Sequence, residues 1–398
     1  MGSVQVTFHP GGAAVSVPAG ATVLEAAGRA GLRLETPCGG QGRCGKCMVR
    51  VSGGVSAPSG AEISVLGKAE IARGWRLACE ARLVGEAEVR VPDSSLIAEH
   101  RVVVEGVGRE VVVEPSVRKL ALRLPSPSLD DPRADLTRLL EALGGRAAAA
   151  PGPELLRQLP AAVRSPGNQV TAVLVDNELV AVEPGDTAEA CYGVAVDIGT
   201  TTVVAYLCHL PTGKVVGVAS DLNPQAQYGG DVISRLQAAV SEERGLAELQ
   251  GAIVGLLNEL IEGVAHRAGV SARTIYEVVA VGNTCMMHFL LGVPPQGLAG
   301  VPFTPAFRRS QRVRAVELGL GIAPGGRVYV APSIGGYVGA DTVGVILASE
   351  LDAGDGLCIA VDIGTNGEIV VARRQELYAC STAAGPAFEG ARISRGMG

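Results

Sequence analysis

The chain has 398 residues, 47% hydrophobic and 19% charged, with 54 glycines and a formal net charge of -6. A chain of this length is expected to hold two or three domains. Its acidic balance and lack of a Lys/Arg run argue against a nucleic-acid reader, and no stretch has the layout of a signal peptide or the uninterrupted length of a membrane span. Nine cysteines, an odd number unevenly placed, fit metal ligands plus buried thiols better than a secreted disulfide framework. The expectation is a soluble, cytoplasmic protein that engages neither nucleic acid nor membrane.

Residues 1–95 begin with Val4 to Phe8 and Ala14 to Val17, which alternate with period two around Pro10-Gly11-Gly12 and predict a hairpin. Thr22 and Glu25 form a capping box for a helix whose apolar face is Val23, Leu24, Ala26, Ala27 and Ala30. A glycine-rich loop follows with Cys38, Cys44 and Cys47 in the spacing Cys-x5-Cys-x2-Cys, and Cys79 comes after a further 31 residues. Four thiolates can hold a 2Fe-2S cluster, and glycines let such a loop pass close to the inorganic sulfides. A structural zinc site is the alternative, although zinc sites usually pair two Cys-x2-Cys knuckles and only one exists here. Hairpin, helix, cysteine loop and a last strand at Glu86 to Val91 resemble a β-grasp ferredoxin, and the x5 spacing leans toward the adrenodoxin kind.

Residues 96–190 say less. Val102 to Val104, Val111 to Val113 and Leu120 to Leu124 predict short strands. Leu136, Leu139, Leu140 and Leu143 recur at helical spacing and stop at Gly144-Gly145, and Pro153 to Val163 reads as a second helix. Val170 to Val175 and Glu178 to Val182 flank Asp176-Asn177, a favoured hairpin turn. No catalytic constellation stands out, and a small α+β middle domain with linkers is expected.

Residues 191–398 contain an internal repeat: Val194 to Thr202 returns as Ile359 to Asn366, with Asp-Ile-Gly-Thr in both copies. An apolar run, read as a buried strand, meets Asp, then Gly, then hydroxyl side chains, which would place a carboxylate beside Mg2+ and hydroxyls and amides around phosphates. One such turn could simply join two core strands; two copies favour a nucleotide clamp. Between them lie Asn223-Pro224-Gln225, a turn at Gly229 to Arg235 leading into a helix, a long amphipathic helix through Leu246 to Val264, a strand at Val278 to Val281, and a buried helix from Cys285 to Leu291. His288 there reads as a core histidine, and Cys191, Cys208, Cys285, Cys358 and Cys380, which lack ligand spacing, read as inert core thiols. The small residues Ser333 to Asp341 precede another apolar helix.

Phosphate hairpin, small-residue helix and second hairpin resemble the ribonuclease-H-like ATPase fold of sugar kinases, heat-shock 70 proteins and actin. The resemblance makes Asp197, Gly199, Thr200, Thr201 and Thr202 the first phosphate loop and Asp362, Gly364, Thr365 and Asn366 the second, with ATP and Mg2+ between them. Asp231 is a weaker candidate for an acid near the attacking water; a helix-terminal carboxylate is the other reading.

The whole chain, on its four cysteines, Asp197 to Thr202, Asn223 to Gln225, Val281 to Thr284 and Asp362 to Glu368, resembles the reductive activators of corrinoid-dependent enzymes. That resemblance implies a multidomain α+β and α/β protein: a β-grasp ferredoxin domain at 1–95, a middle domain at 96–190, and an actin-like ATPase domain at 191–398. It implies ATP-dependent return of Co(II) to Co(I) in a corrinoid protein or corrinoid methyltransferase, a low-potential electron donor, and allows a homodimer. Only 36 residues follow Asp362, about one βαβ unit, so the second lobe is expected to be incomplete. The alternatives are a ferredoxin-type electron-transfer protein with a non-hydrolysing nucleotide lobe, a redox sensor, and a small-substrate kinase, which leaves the cysteines unexplained.

Overall fold

A computed structural model of the chain describes residues 3–32, 34, 40, 42–92, 95, 111–147, 152–353, 356–364, 366–374 and 376–383, and among these residues four sheets follow one another. The first contains β1 (Ser3–His9), β2 (Ala13–Pro18), β3 (Met48–Val55), β4 (Trp75–Leu77) and β5 (Leu83–Arg90) in the order β2-β1-β5-β3-β4, with β1 and β5 parallel. The alternation read in β1 turns Val6 and Phe8 into a core shared with Val49, Leu77 and Val89. Helix α1 (Val23–Arg29) closes that core with Val23, Ala26 and Ala27, and its capping box forms as expected, the Thr22 side chain accepting from the Glu25 amide and Glu25 accepting from the Thr22 amide. Helix α2 (Gly60–Ala72) carries a second capping box, Ser59 with Glu62.

The second sheet is β6 (Val117–Arg123), β7 (Gln169–Val175) and β8 (Glu178–Pro184), antiparallel and in that order. Asp176 and Asn177 turn between β7 and β8 with φ 46° and 68°, the left-handed pair that a two-residue hairpin requires. Strand β7 is buried on both faces. On one, Val170, Ala172 and Leu174 meet Leu139, Leu143, Leu155 and Leu159 of α3 (Asp135–Leu143) and α4 (Pro153–Ala162). On the other, Val173 and Val175 join Val117 and Ala181 against Cys191, Tyr276 and Ala323 of the following domain. Val111 to Val113, expected as a strand, is irregular, and Val112 is 93% exposed: apolar β-branched residues alone do not make a strand where no neighbour accepts their backbone hydrogen bonds. Val102 to Val104 lie outside the described residues.

The third sheet has β9 (Tyr192–Ile198), β10 (Thr202–His209), β11 (Lys214–Leu222), β12 (Ile275–Gly282), β13 (Gln311–Arg314) and β14 (Arg327–Val330) in the order β11-β10-β9-β12-β14-β13, with β9, β12 and β14 parallel. Helices α5 (Val232–Ser241), α6 (Gly245–Arg267) and α7 (Thr284–Leu291) share its core. Helix α8 (Ala340–Ala348) then leads to a fourth, antiparallel sheet of β15 (Leu357–Ile363), β16 (Asn366–Arg373) and β17 (Glu376–Ala383).

The two copies of the repeat differ in burial. Val194, Val196 and Ile198 are core residues, as expected, whereas Leu357, Ile359, Val361 and Ile363 are 46% to 68% exposed. Strand β9 is flanked by β10 and β12; β15 is an edge strand paired only with β16 among the described residues. The cysteine reading divides the same way: Cys191 and Cys285 are buried and Cys208 is half-buried, but Cys358 and Cys380 are exposed on β15 and β17 and are not core thiols. No described helix is long and apolar enough to cross a membrane.

Candidate functional site

The cysteine site is held from behind by a buried ion pair. Glu62, fully buried, accepts from Arg76 Nε at 2.8 Å and Nη2 at 2.8 Å, from the Leu77 amide at 3.0 Å and from the Ser59 amide at 2.9 Å. Burial pushes its carboxyl up, but the Arg76 bonds and the two amides outweigh it and hold Glu62 below the usual glutamate range. This fixes β4, from which the chain turns directly to Cys79; the Ala78 amide donates to the Cys47 carbonyl at 2.9 Å. Cys47 Sγ and Cys79 Sγ stand 3.4 Å apart, and the contact with Cys79 draws the Cys47 thiol below its ordinary value against the opposing effect of burial. Gly42 and Gly45, on either side of Cys44, adopt φ 67° and 69°, left-handed conformations in which a side chain is strained. Cys38 lies outside the described residues. Among those described, no group of three His, Cys, Asp or Glu side chains is placed to hold a metal ion. Two adjacent thiols at the floor of a glycine-rich loop are a donor set that fits iron and sulfide.

The first candidate phosphate hairpin, between β9 and β10, is fastened by three residues outside it. Asn223 Nδ2 donates to the Gly199 carbonyl at 2.8 Å, and its amide donates to the Thr201 carbonyl at 2.8 Å. Asn283 Nδ2 donates to Thr200 Oγ1 at 3.1 Å, while its Oδ1 caps α7 through the Met286 amide. Arg235 Nη2 donates to the Thr200 carbonyl at 2.6 Å and Nε to the Gly229 carbonyl at 2.9 Å. Arg235 is 1% exposed, the largest fully buried side chain among the described residues. Burial lowers its basicity to about 10, leaving it a cation at neutral pH. Because a trans peptide aims its C=O and N–H in opposite directions, drawing the carbonyls of Gly199 and Thr200 toward Asn223 and Arg235 turns the amides of Thr200 and Thr201 the other way. Successive backbone amides aimed to one side are the groups with which a loop can bind an anion.

Around this hairpin three backbone segments meet with no room for side chains. A Cβ on Gly282 would lie 2.6 Å from the Ile198 carbonyl, and one on Gly339 2.4 Å from Asn283 Cα and 2.6 Å from the Gly282 carbonyl. Through these contacts the start of α8 reaches the end of β9, and Asp341 comes into the field of Asp197. Asp197 remains accessible to solvent but is recessed, and the surrounding protein, then Asp341 and Asp362, pushes its carboxyl up to about 7. Burial followed by Asp341 and Asp362 likewise pushes Glu368 up to about 7, and Asp341 is raised by burial and, more weakly, by Asp362.

Asp197 and Asp362, read from the repeat, therefore do share one field, together with two acids that the repeat did not identify. Glu368 sits directly opposite Asp362 in the β15–β16 register, where the first hairpin places Val204 opposite Asp197. Two carboxylates facing across a strand pair repel unless a cation lies between them. Counting the cross-strand position in the second copy would have exposed Glu368; Asp341 carries no such signal, since its position follows from the Gly339 contact. Thr202 opens β10 and Gly364 closes the second strand's turn, Thr365 lies outside the described residues, and only the backbone of Asn366 is described. Asp231 caps α5, one oxygen accepting from the Ser234 amide at 2.8 Å and the other from its hydroxyl at 3.0 Å; these bonds fit the helix-terminal reading. His288 is a satisfied core residue, with Nδ1 at 2.7 Å from the Thr284 carbonyl and Nε2 accepting from the Ala306 amide at 3.0 Å.

Comparison with known proteins bears on the same regions. Family models match in sequence order: a 2Fe-2S iron-sulfur cluster binding domain at 6–84, the RACo linker region at 106–189, the RACo middle region at 192–354, and the C-terminal ASKHA domain of RACo at 356–398. The corrinoid activation enzyme RamQ of Eubacterium limosum is 31% identical over 369 residues, covering 92% of this chain and 59% of RamQ. A component of the Na(+)-translocating NADH-quinone reductase of Haemophilus influenzae (strain PittEE) is 38% identical over 80 residues, 20% of each chain. A solved reductive activator for corrinoid,iron-sulfur protein superposes with a TM-score of 0.67 at 34% identity, covering 99% of this chain and 65% of that one. The chain thus spans about three fifths to two thirds of the length of these full-chain relatives. With one family matched three times in succession behind a ferredoxin domain, the chain belongs to the RACo family and carries its 2Fe-2S domain, linker, middle region and ASKHA domain in one polypeptide.

Proposed function

We propose that the chain is an ATP-dependent reductive activator that returns the cobalt of a corrinoid protein from Co(II) to Co(I), taking one electron from a low-potential donor in the cytoplasm. The observation that carries this reading is the union, in one polypeptide, of a cysteine-bearing β-grasp sheet and a fastened phosphate hairpin facing a carboxylate cluster. Cys38, Cys44, Cys47 and Cys79 would hold the 2Fe-2S cluster, which supplies a one-electron carrier when bound. Asp197 and Asp362 would face Mg2+, which is usually held by one or two carboxylates while it keeps several waters, with Asp341 and Glu368 adding to the negative field around them. The amides of Thr200 and Thr201, backed by Arg235 and Asn223, would receive the phosphates from one side, and Gly364, Thr365 and Asn366 from the other. Because Asp197 comes from the first hairpin and Asp362 and Glu368 from the second, with Asp341 at the start of α8, a cation and a polyphosphate between them favour approach of the two hairpins, and hydrolysis removes that preference. A ligand shifts such an equilibrium only by its differential affinity, so the nucleotide acts as a gate on an otherwise unfavourable electron transfer.

The test is formation of Co(I) from a Co(II) corrinoid iron-sulfur protein, followed by its visible absorption with the iron-loaded chain, a low-potential reductant, and ATP present or absent. Co(I) is expected only with ATP, and Asp197→Ala should abolish it while leaving cluster reduction intact. Equal rates with and without ATP would refute the gate and leave an electron-transfer protein.

A further inference from the structure

The outer face of the ferredoxin sheet carries two neighbouring arginines flanked by a histidine. In register, His9 of β1 lies beside Arg90 of β5, Arg90 beside Arg50 of β3, and Arg50 beside Trp75 of β4. Arg90 and Arg50 occupy adjacent strands, roughly 4.8 Å apart, and side chains of the same charge placed directly opposite destabilise a sheet. Arg73, in the turn before β4, completes a groove of about 640 Å³ lined also by Ser52, Gly74 and Glu88. Among the described residues neither Arg50 nor Arg90 has an ion-pair partner, whereas Arg73 pairs with Glu70. The groove thus sets three arginines against Glu88, with Arg73 paired to Glu70 and Arg50 Nε donating to the Arg73 carbonyl at 3.0 Å, and keeps a net positive charge. It also borders the cysteines, since Arg50 is three residues beyond Cys47 and Gly74 five residues before Cys79, so Arg50 is about 10 Å from Cys47 at strand spacing.

The charge of the chain is divided in the same sense. Residues 1–95 hold 10 Lys and Arg against 8 Asp and Glu, while residues 96–398 hold 24 against 32. A basic module in an acidic protein, with its cations concentrated next to the cysteines, is built to attract an acidic redox partner. We infer that the groove of His9, Arg50, Arg73 and Arg90 docks an acidic electron-donor protein that reduces the chain. The inference rests on the reading under Proposed function. Under that reading the cluster takes its electron from a donor protein before the corrinoid partner, which must also engage the ATPase domain, receives it.

The experiment uses the full iron-loaded chain and a reduced acidic plant-type ferredoxin as donor, mixed by stopped flow and followed by cluster bleaching. Donor-driven reduction should slow steeply with added salt. The double variant Arg50→Glu/Arg90→Glu should slow it at least tenfold at low salt and flatten the salt dependence, whereas Arg50→Lys/Arg90→Lys keeps the fast rate. Reduction by photoreduced deazaflavin, a small neutral donor, should be the same in all three, showing that fold and cluster are intact. Wild-type rates in the charge-reversed variant, or no salt dependence in the wild type, would overturn the inference. So would tight uptake of inorganic phosphate in the groove that leaves donor-driven reduction unchanged, which would assign it to a free anion. If the chain takes up no iron, the ferredoxin reading fails instead; binding of the oxidised ferredoxin to the iron-free chain, weakened by the same charge reversal, still tests the groove.

Discussion

Glu62→Gln isolates what the buried ion pair does for the cysteine site. The substitution keeps the shape of the side chain but removes its charge, leaving the Arg76 guanidinium, 5% exposed, without a counter-ion. Breaking a buried pair by removing one partner costs about 3–5 kcal/mol, and the amide also presents a donor where the Arg76, Leu77 and Ser59 N–H groups now converge on two oxygens. For a domain of this size each kcal/mol moves the midpoint by roughly 4–8 °C, so a loss of roughly 12–24 °C is expected at the lower end of that cost. The assay is thermal loss of the cluster's visible absorption, which reports on the ferredoxin domain alone and avoids treating a multidomain chain as two-state. Replacing both partners, Glu62→Leu with Arg76→Met, should restore most of the stability, because neither charge is then left buried. A shift of under 2 °C in Glu62→Gln, or a double variant worse than the single one, would refute the reasoning. Glu62 is held below its ordinary value of 4.5, so its contribution is complete above that pH and is lost as pH falls through the lower folded value.

The acid cluster behaves oppositely. Asp197, recessed but reached by solvent, and the buried Glu368 are raised to about 7 by desolvation and then by neighbouring acids, so without a divalent cation stability should fall as pH rises from about 4 through about 7 and level off above that. Glu368→Gln should flatten that slope more than Asp197→Asn, because Glu368 is buried and Asp197 is open to solvent screening; a slope unchanged in both would show that the field is not shared. Arg235→Met should loosen the first hairpin, measured as faster hydrogen exchange at the Asn223 amide, which donates to the Thr201 carbonyl, with roughly 1–3 kcal/mol lost for each buried carbonyl left unsatisfied. Unchanged exchange there would mean that Asn223 and Asn283 suffice. Gly339→Ala places a methyl group 2.4 Å from Asn283 Cα and should destabilise the chain while weakening the response of Glu368 to pH; a fully stable variant would show that the α8 start can move aside. Cys358 and Cys380 should react with a soluble thiol reagent in the native chain, and Cys285, whose thiol burial pushes up to about 12, only on unfolding.

Local pattern was enough to reveal much of this protein. Thr22 with Glu25, Asp176-Asn177 and the leucines ending at Gly144 each encode a cap, a turn or a helix stop within a few residues, and each forms where it is read. The cysteine spacing and the repeated Asp-Ile-Gly-Thr are likewise patterns of contiguous residues, and they underlie the proposed cluster and nucleotide sites. What the sequence alone did not determine depends on which strands become neighbours. Apolar alternation is the same in β9 and β15, yet one is central and buried and the other an exposed edge, because burial is decided by flanking strands and packed helices and not by the strand's own residues. Glu368 becomes a member of the acid cluster by cross-strand register, Asp341 by the close approach of Gly339 to Asn283, and Arg235 a loop fastener by reaching 35 positions back along the chain to Thr200. The basic row of His9, Arg90 and Arg50 exists only once β1, β5 and β3 lie side by side. Chemistry carried by contiguous residues could be read directly; chemistry assembled from distant ones required the tertiary fold, since only folding sets the distances on which charge and hydrogen bonding depend.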